Sequence, residues 1–159
     1  MRILITGNIA SGKTTLIQAL IRRLYEADIH VPHIGIDHMR GLYSDGTPEG
    51  EELARMRYKR AVEDTPYCFI ECCPYSRAYE AIAHMIDYTV LVLCDTALCI
   101  ERYSIRGTHT HTRTHSTIVA DVMAVNSKVK RVPYSVTYAG GSVASVYSAI
   151  LWELEGHQP

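Results

Sequence analysis

With 159 residues, 47% of them hydrophobic and 21% charged, and a formal net charge of −1, the chain can bury one full core but is too short for a second catalytic domain. A near-neutral balance excludes binding to nucleic acid through overall charge, so any such contact has to come from local patches. No apolar run approaches membrane-spanning length, and Met1-Arg2-Ile3-Leu4-Ile5 enters a strand-like segment with no leader pattern, so a soluble, cytoplasmic protein is expected.

Taken in chain order, apolar strand-like runs fall at residues 2–6, about 31–36, 67–71, 88–94 and 134–139, with helical periodicity filling most of the gaps. That alternation predicts an α/β fold with a parallel sheet, and neither a repeat nor a linker divides residues 1–159. The first helix is expected over about 13–27, with Leu16, Leu20, Ile21 and Leu24 at core spacing and Arg22 and Arg23 facing water. Residues 41–50, with three glycines and a proline, read as a loop before a helix over 51–64. Leu53, Met56 and Ala61 mark the expected apolar side of that helix. Arg55, Arg57, Lys59 and Arg60 make it basic, which fits a solvated face paired with Glu51, Glu52 and Glu63 better than a nucleic-acid contact. Segment 101–133 carries six Lys/Arg against two Asp/Glu, whereas 41–100 is acidic. The five cysteines sit mostly in apolar runs and form no CxxC pair, which fits reduced core thiols.

One motif carries chemistry by itself. Gly7-Asn8-Ile9-Ala10-Ser11-Gly12-Lys13-Thr14 is a complete GxxxxGK[ST] phosphate loop, followed by Thr15 and set between a strand and a helix. Four specified positions match by chance in roughly one chain of this length in a few hundred, and the strand-to-helix context makes chance rarer still. Backbone N–H groups of residues 7–15 and the helix N-terminus can then converge on a phosphate, with Lys13 at the β/γ-phosphates and the Thr14 hydroxyl on Mg²⁺. ATP and Mg²⁺ are the expected cofactors.

Phosphoryl transfer also needs an oriented acceptor hydroxyl and further cations. Asp37 follows the second strand, at the carboxyl end where open α/β sheets bind ligands, and reads as the general base. Arg40 lies three residues on and shares a face with Asp37 if a helical turn starts here; it can fork onto a phosphate, and a local ion pair is the other reading of the same spacing. Glu71 ends the third strand, where an acidic residue supports Mg²⁺ and its waters. Arg102 and Arg106 are one helical turn apart before Gly107 and the Thr/His tract, which suits a lid over about 106–117, with Arg106 closing on the triphosphate. His109, His111 and His115 alternate with threonine, which is not a zinc spacing. Tyr138-Ala139-Gly140-Gly141-Ser142 permits close approach of a flat ring or is simply a turn before the last helix.

Gly7 to Thr14, Asp37-x-x-Arg40, Glu71 with Pro74 and Arg77, and Arg102-x-Ser-x-Arg106-Gly-Thr108 together resemble the phage-type polynucleotide 5′-kinase module. That group belongs to the adenylate-kinase-like P-loop kinases and includes the related 5-hydroxymethyluracil DNA kinase. The resemblance implies five parallel strands flanked by helices with a short lid. It implies catalytic roles for Lys13, Asp37, Arg40 and Arg106, metal support by Thr14 and Glu71, and an acceptor hydroxyl on nucleic acid. A small-molecule or nucleotide kinase of the same fold is the alternative, which the acidic middle region favours. A non-catalytic nucleotide switch is a third; no Asn-Lys-x-Asp guanine-reading motif occurs.

Overall fold

The computed structural model describes residues 1–107 and 114–156, the side chains of Arg106 and Gly107 excepted. Five strands, β1 (Arg2–Gly7), β2 (His33–Gly35), β3 (Cys68–Glu71), β4 (Tyr88–Val92) and β5 (Val136–Tyr138), form one sheet in the order β2-β3-β1-β4-β5. All four pairings are parallel. The connections carry α1 (Lys13–Glu26), α2 (Ile36–Tyr43), α3 (Pro48–Asp64), α4 (Arg77–Ile82), a 3₁₀ turn (Ala83–Met85), α5 (Thr96–Gly107) and α6 (His115–Val129), and α7 (Ala144–Gly156) follows β5. Because β1 is central and its neighbours β3 and β4 come later in the chain, the order reverses at β1, and a crevice opens beyond its carboxyl end.

The apolar pattern of β1 explains the layers. Side chains alternate across a strand, so Ile3 and Ile5 enter one core with Leu16, Ile17, Leu20 and Leu24 of α1 and Val146 and Ile150 of α7. Leu4 points the other way, into a second core with Tyr58 and Val62 of α3 and Ile82 of α4. A central strand covered on both faces has to be apolar where it is covered, as Ile3-Leu4-Ile5 is, and the buried Thr6 hydroxyl is satisfied by the Cys72 carbonyl at 2.9 Å.

Three expectations are corrected. Helix α3 starts at Pro48, because Thr47 Oγ1 accepts the Gly50 N–H at 3.1 Å and Pro48 supplies a ready-made helical φ. Gly50 is therefore helical, and Gly41 is helical as part of α2. A Cβ at Gly50 would run into Asp45 Oδ1 and lie 2.9 Å from the Asp45 backbone nitrogen, so the small residue admits the preceding turn. The buried stripe of α3 is Ala54, Tyr58 and Val62, while Leu53 and Met56 are exposed. Finally, His115 opens α6 and is not loop, since Thr114 caps that helix through the Thr117 N–H. His109 and His111 lie outside the described residues, as does the middle of the expected lid. Within the described residues, no helix is long and apolar enough to cross a membrane.

Tyr58→Ala should destabilise the protein by about 3–5 kcal/mol, the cost of emptying a large buried aromatic site. Met56→Ala on the opposite side of α3 should change stability by less than about 0.5 kcal/mol. Urea denaturation of both variants measures the difference, and equal losses would contradict this docking of α3.

Candidate active site

The site grows from the end of β1. Gly7 pairs in register with Val92 of β4, and a Cβ there would sit 2.5 Å from the Val92 carbonyl oxygen. Only glycine lets the chain leave the sheet at that point. Ala10 (φ 56°) and Gly12 (φ 97°) are both left-handed, which curls the loop and delivers Gly12 as the N-cap of α1. No side chain caps this helix. Leu16 N–H is bonded to the Gly12 carbonyl, so the N–H groups of the first turn have no partner within the helix and face the crevice.

Lys13 is buried and folds back on this loop, its Nζ donating to the Asn8 carbonyl at 2.7 Å and the Gly7 carbonyl at 3.4 Å. Among the described residues, Asn8 Nδ2 and Ser11 Oγ are buried polar atoms without a hydrogen-bond partner, and both belong to this loop. A concave loop of N–H donors with an ammonium inside it is complementary to a phosphate chain.

Glu71 is the second fixed point. Its Oε1 accepts the Thr14 hydroxyl at 2.7 Å, and its Oε2 lies 3.0 Å from His33 Nε2. Register explains the histidine: Gly35 pairs with Glu71, and His33 points to the same side of β2 two residues earlier. Gly35 has no side chain in the way, so the ring crosses to the carboxylate; a Cβ at Gly35 would touch Nε2 at 3.4 Å. Burial raises the Glu71 pKa, but hydrogen bonds from His33 and Thr14 outweigh it and hold the carboxyl below its ordinary value of 4.5. An ionised carboxylate beside a threonine hydroxyl at the mouth of a phosphate loop is an oxygen donor set that fits Mg²⁺.

Asp37 and Arg40 lie in the first and last turns of α2, joined by a 3.0 Å bond from Arg40 Nη1 to Asp37 Oδ1. The Asp37 side chain is 90% exposed, so it is open to a ligand. Arg40 makes a second bond, Nε to Glu51 Oε2 of α3 at 3.0 Å, and Glu51 Oε1 accepts the Ser44 hydroxyl at 2.8 Å. These bonds, Ser44's first and then Arg40's, outweigh burial and keep the Glu51 carboxyl below its ordinary range. The phosphate loop, Asp37, Arg40, Glu71, Cys73 and Tyr103 line a common cavity of about 490 Å³.

The sequence-derived set Lys13, Thr14, Asp37, Arg40 and Glu71 thus converges, while the Arg106 side chain lies outside the described residues. Arg102, one turn before it on α5, donates to Cys94 Sγ at 3.7 Å. Sequence reasoning missed His33, Glu51, Ser44 and Tyr103. Glu51 had a signal, since an acid in the first turn of a helix beside an Asp-x-x-Arg segment is placed to meet the arginine. His33 had none short of the strand register. Cys68, Cys72 and Cys99 are buried, as expected of core thiols, and burial pushes the Cys68 thiol up to about 11 and Cys72 to about 12. Among the described residues, no group of three or more His, Cys, Asp or Glu is arranged to hold a metal ion.

Because the folded pKa of Glu71 is depressed, its contribution to stability is complete above about pH 4.5 and is lost as pH falls through the lowered folded value. Urea unfolding across pH 6 to 2 should therefore show a weaker acid dependence in Glu71→Gln than in the wild type; an unchanged slope would contradict the assignment. Gly7→Ala should be far more destabilising than Gly12→Ala, whose left-handed backbone costs about 1–2 kcal/mol, because only the Gly7 change drives a Cβ into backbone.

No protein family model and no curated protein matches the chain. Solved structures do. Shikimate kinase from Aquifex aeolicus superposes with a TM-score of 0.67 at 17% identity, over 98% of this chain and 97% of that one. The APS kinase of Mycobacterium tuberculosis, solved with AMPPNP and APS, gives 0.65 at 18% identity over 97% and 96%. Shikimate kinase from Acinetobacter baumannii, solved with shikimate, gives 0.64 at 11% identity over 99% and 94%. The chain therefore has the α/β fold of these P-loop kinases, with five parallel strands flanked by helices. The polynucleotide kinase resemblance gains no support from these neighbours.

Proposed function

We propose that the protein is a phosphotransferase that moves the γ-phosphoryl group of ATP to a hydroxyl of a small molecule. The observation that carries this reading is the shared cavity, in which an exposed carboxylate, Asp37, faces the same space as a complete phosphate loop. Its volume, about 490 Å³, is that of a small-ligand pocket. A switch needs the phosphate loop but has no use for an acceptor pocket with a base. The solved neighbours that bind shikimate or APS support the small-molecule acceptor.

In the proposed reaction the acceptor hydroxyl attacks the γ-phosphorus, Asp37 takes its proton, and the bond to the β,γ-bridging oxygen breaks to release ADP. Lys13 leaves the Asn8 and Gly7 carbonyls for the phosphates, and the N–H groups of the loop hold the chain of phosphates in line. Thr14 and Glu71 would hold Mg²⁺, which supplies charge neutralisation on the phosphate oxygens. His33 orients Glu71 from its far oxygen. Arg106, from its place near the end of α5, is proposed to close on the transferring group, and the Gly140-Gly141 turn after β5 to flank the base of the nucleotide.

The nucleic-acid acceptor expected from the motif order has less behind it. Arg55, Lys59 and Arg60 of α3 are each bonded to a carboxylate of their own helix, Glu52, Glu63 and Asp64. Lys128 and Arg131 of the basic segment instead hold Tyr75, by a bond to its carbonyl at 3.3 Å and by stacking over its ring at 5.8 Å. Cations committed in this way do not form an open phosphate-binding stripe.

Incubation with labelled ATP and a mixed set of hydroxyl compounds and DNA should label a small molecule; label on DNA alone would overturn the proposed acceptor class. Asp37→Asn should lower turnover by about 10²–10⁴-fold while ATP binding, followed by calorimetry, persists. Lys13→Met should cost about 10²–10³-fold in kcat. Full activity in the Asp37 variant would remove the proposed base.

A further inference from the structure

The acceptor side of the cavity also carries information about the charge of the compound that enters it, and this step rests on the kinase reading above. Arginine presents two edges to a carboxylate or phosphate, one made by Nε and a terminal nitrogen, the other by the two terminal nitrogens. In Arg40 the first edge is already engaged through Nε, which donates to Glu51 Oε2, and Nη1 donates to Asp37 Oδ1, both at 3.0 Å. The first edge is therefore closed to a two-pronged grip, and an anion at the second would lie beside the Asp37 carboxylate. Glu51 cannot easily swing aside, because Ser44 holds its other oxygen at 2.8 Å.

The surrounding charges point the same way. Asp37, Arg40 and Glu51 sum to one negative charge. Arg55, the next cation on α3, is bonded to Glu52, and His33 lies on Glu71. His38 lines the cavity with an exposed side chain. Lys13 belongs to the phosphate loop. Among the described residues, an anionic acceptor would therefore meet a net negative group and would compete with two carboxylates already bonded to the arginine.

We infer that Arg40 is a bracketed, charge-compensated residue and that the acceptor is a neutral or cationic hydroxyl compound carrying no anionic group. Glu51 is then the specificity-determining residue, acting through Arg40. This separates the pocket from one built to grip a carboxylate, sulfate or phosphate on its acceptor, the role the sequence alone suggests for Arg40.

Two measurements test this in the full chain. The first follows the Arg40 Nε–H signal by NMR while malonate is titrated in. In the wild type the signal should stay in place, and in Glu51→Gln it should move and saturate at a concentration lower by about tenfold or more. A wild-type signal that moves at the same malonate concentration as the variant overturns the inference. If Glu51→Gln does not fold, Ser44→Ala loosens the same bracket and should show the same direction of change; no change there counts against the proposal.

The second measurement compares kcat/KM for a matched hexose, amino sugar and uronate with saturating ATP. Preference for the hexose or the amino sugar by about tenfold over the uronate supports the inference, and Glu51→Gln should narrow that gap. An equal or greater rate with the uronate overturns it. Absence of transfer to any hydroxyl compound, with ATP still bound, counts against the kinase reading alone, and the malonate titration then decides the state of Arg40 independently.

Discussion

The site depends on one partly buried carboxylate. Glu71 lies at the end of β3, where loss of water would favour its protonated form. It remains ionised because Thr14 reaches it from α1 and His33 from β2. Both partners favour the charged form in that position, with the Lys13 ammonium adding to them. The bonds it makes therefore tie the phosphate loop, the edge strand and β3 into a fixed relation. The same bonds leave a negatively charged oxygen donor set beside the threonine hydroxyl, so the feature that holds the elements together is also the one suited to a cation.

The phosphate loop is shaped by a different kind of constraint. Its form follows from backbone conformations that few residues tolerate: Gly7 against the Val92 carbonyl, and Ala10 and Gly12 in the left-handed region. With those positions set, the uncapped first turn of α1 has nowhere to direct its N–H groups except the crevice. Lys13 resting on two loop carbonyls offsets part of the burial of its charge. That arrangement keeps the ammonium in the loop and ready to exchange carbonyl oxygens for phosphate oxygens.

On the other side of the cavity, α2 and α3 are held together by Arg40. Spacing alone left Asp37-x-x-Arg40 open between a local ion pair and a phosphate-binding pair. The structure contains the ion pair and adds Glu51, so the arginine is compensated twice while Asp37 stays exposed. The basic side of α3 likewise resolves into helix-local pairs. Periodicity misassigned its apolar side because Leu53 and Met56 are as hydrophobic as Tyr58 and Val62; only the sheet decides which stripe is covered.

The sequence by itself determined what is written in neighbouring residues. The five strands appear as contiguous apolar runs, α1 as a 3.6-residue period, and the phosphate loop as a set of backbone and side-chain requirements met within eight consecutive residues. The positions of Asp37 and Glu71 at the carboxyl ends of strands follow from the same local order. Tertiary structure alone decided what depends on register and docking. His33 reaches Glu71 because β2 pairs with β3 so that Gly35 lies opposite the carboxylate, and Glu51 reaches Arg40 because α3 packs against α2. Those contacts join residues 38 and 11 positions apart; the nearer left a trace in the order of residues, an acid opening the helix after Asp-x-x-Arg, but the distance that sets the energy of either is fixed only by docking and register.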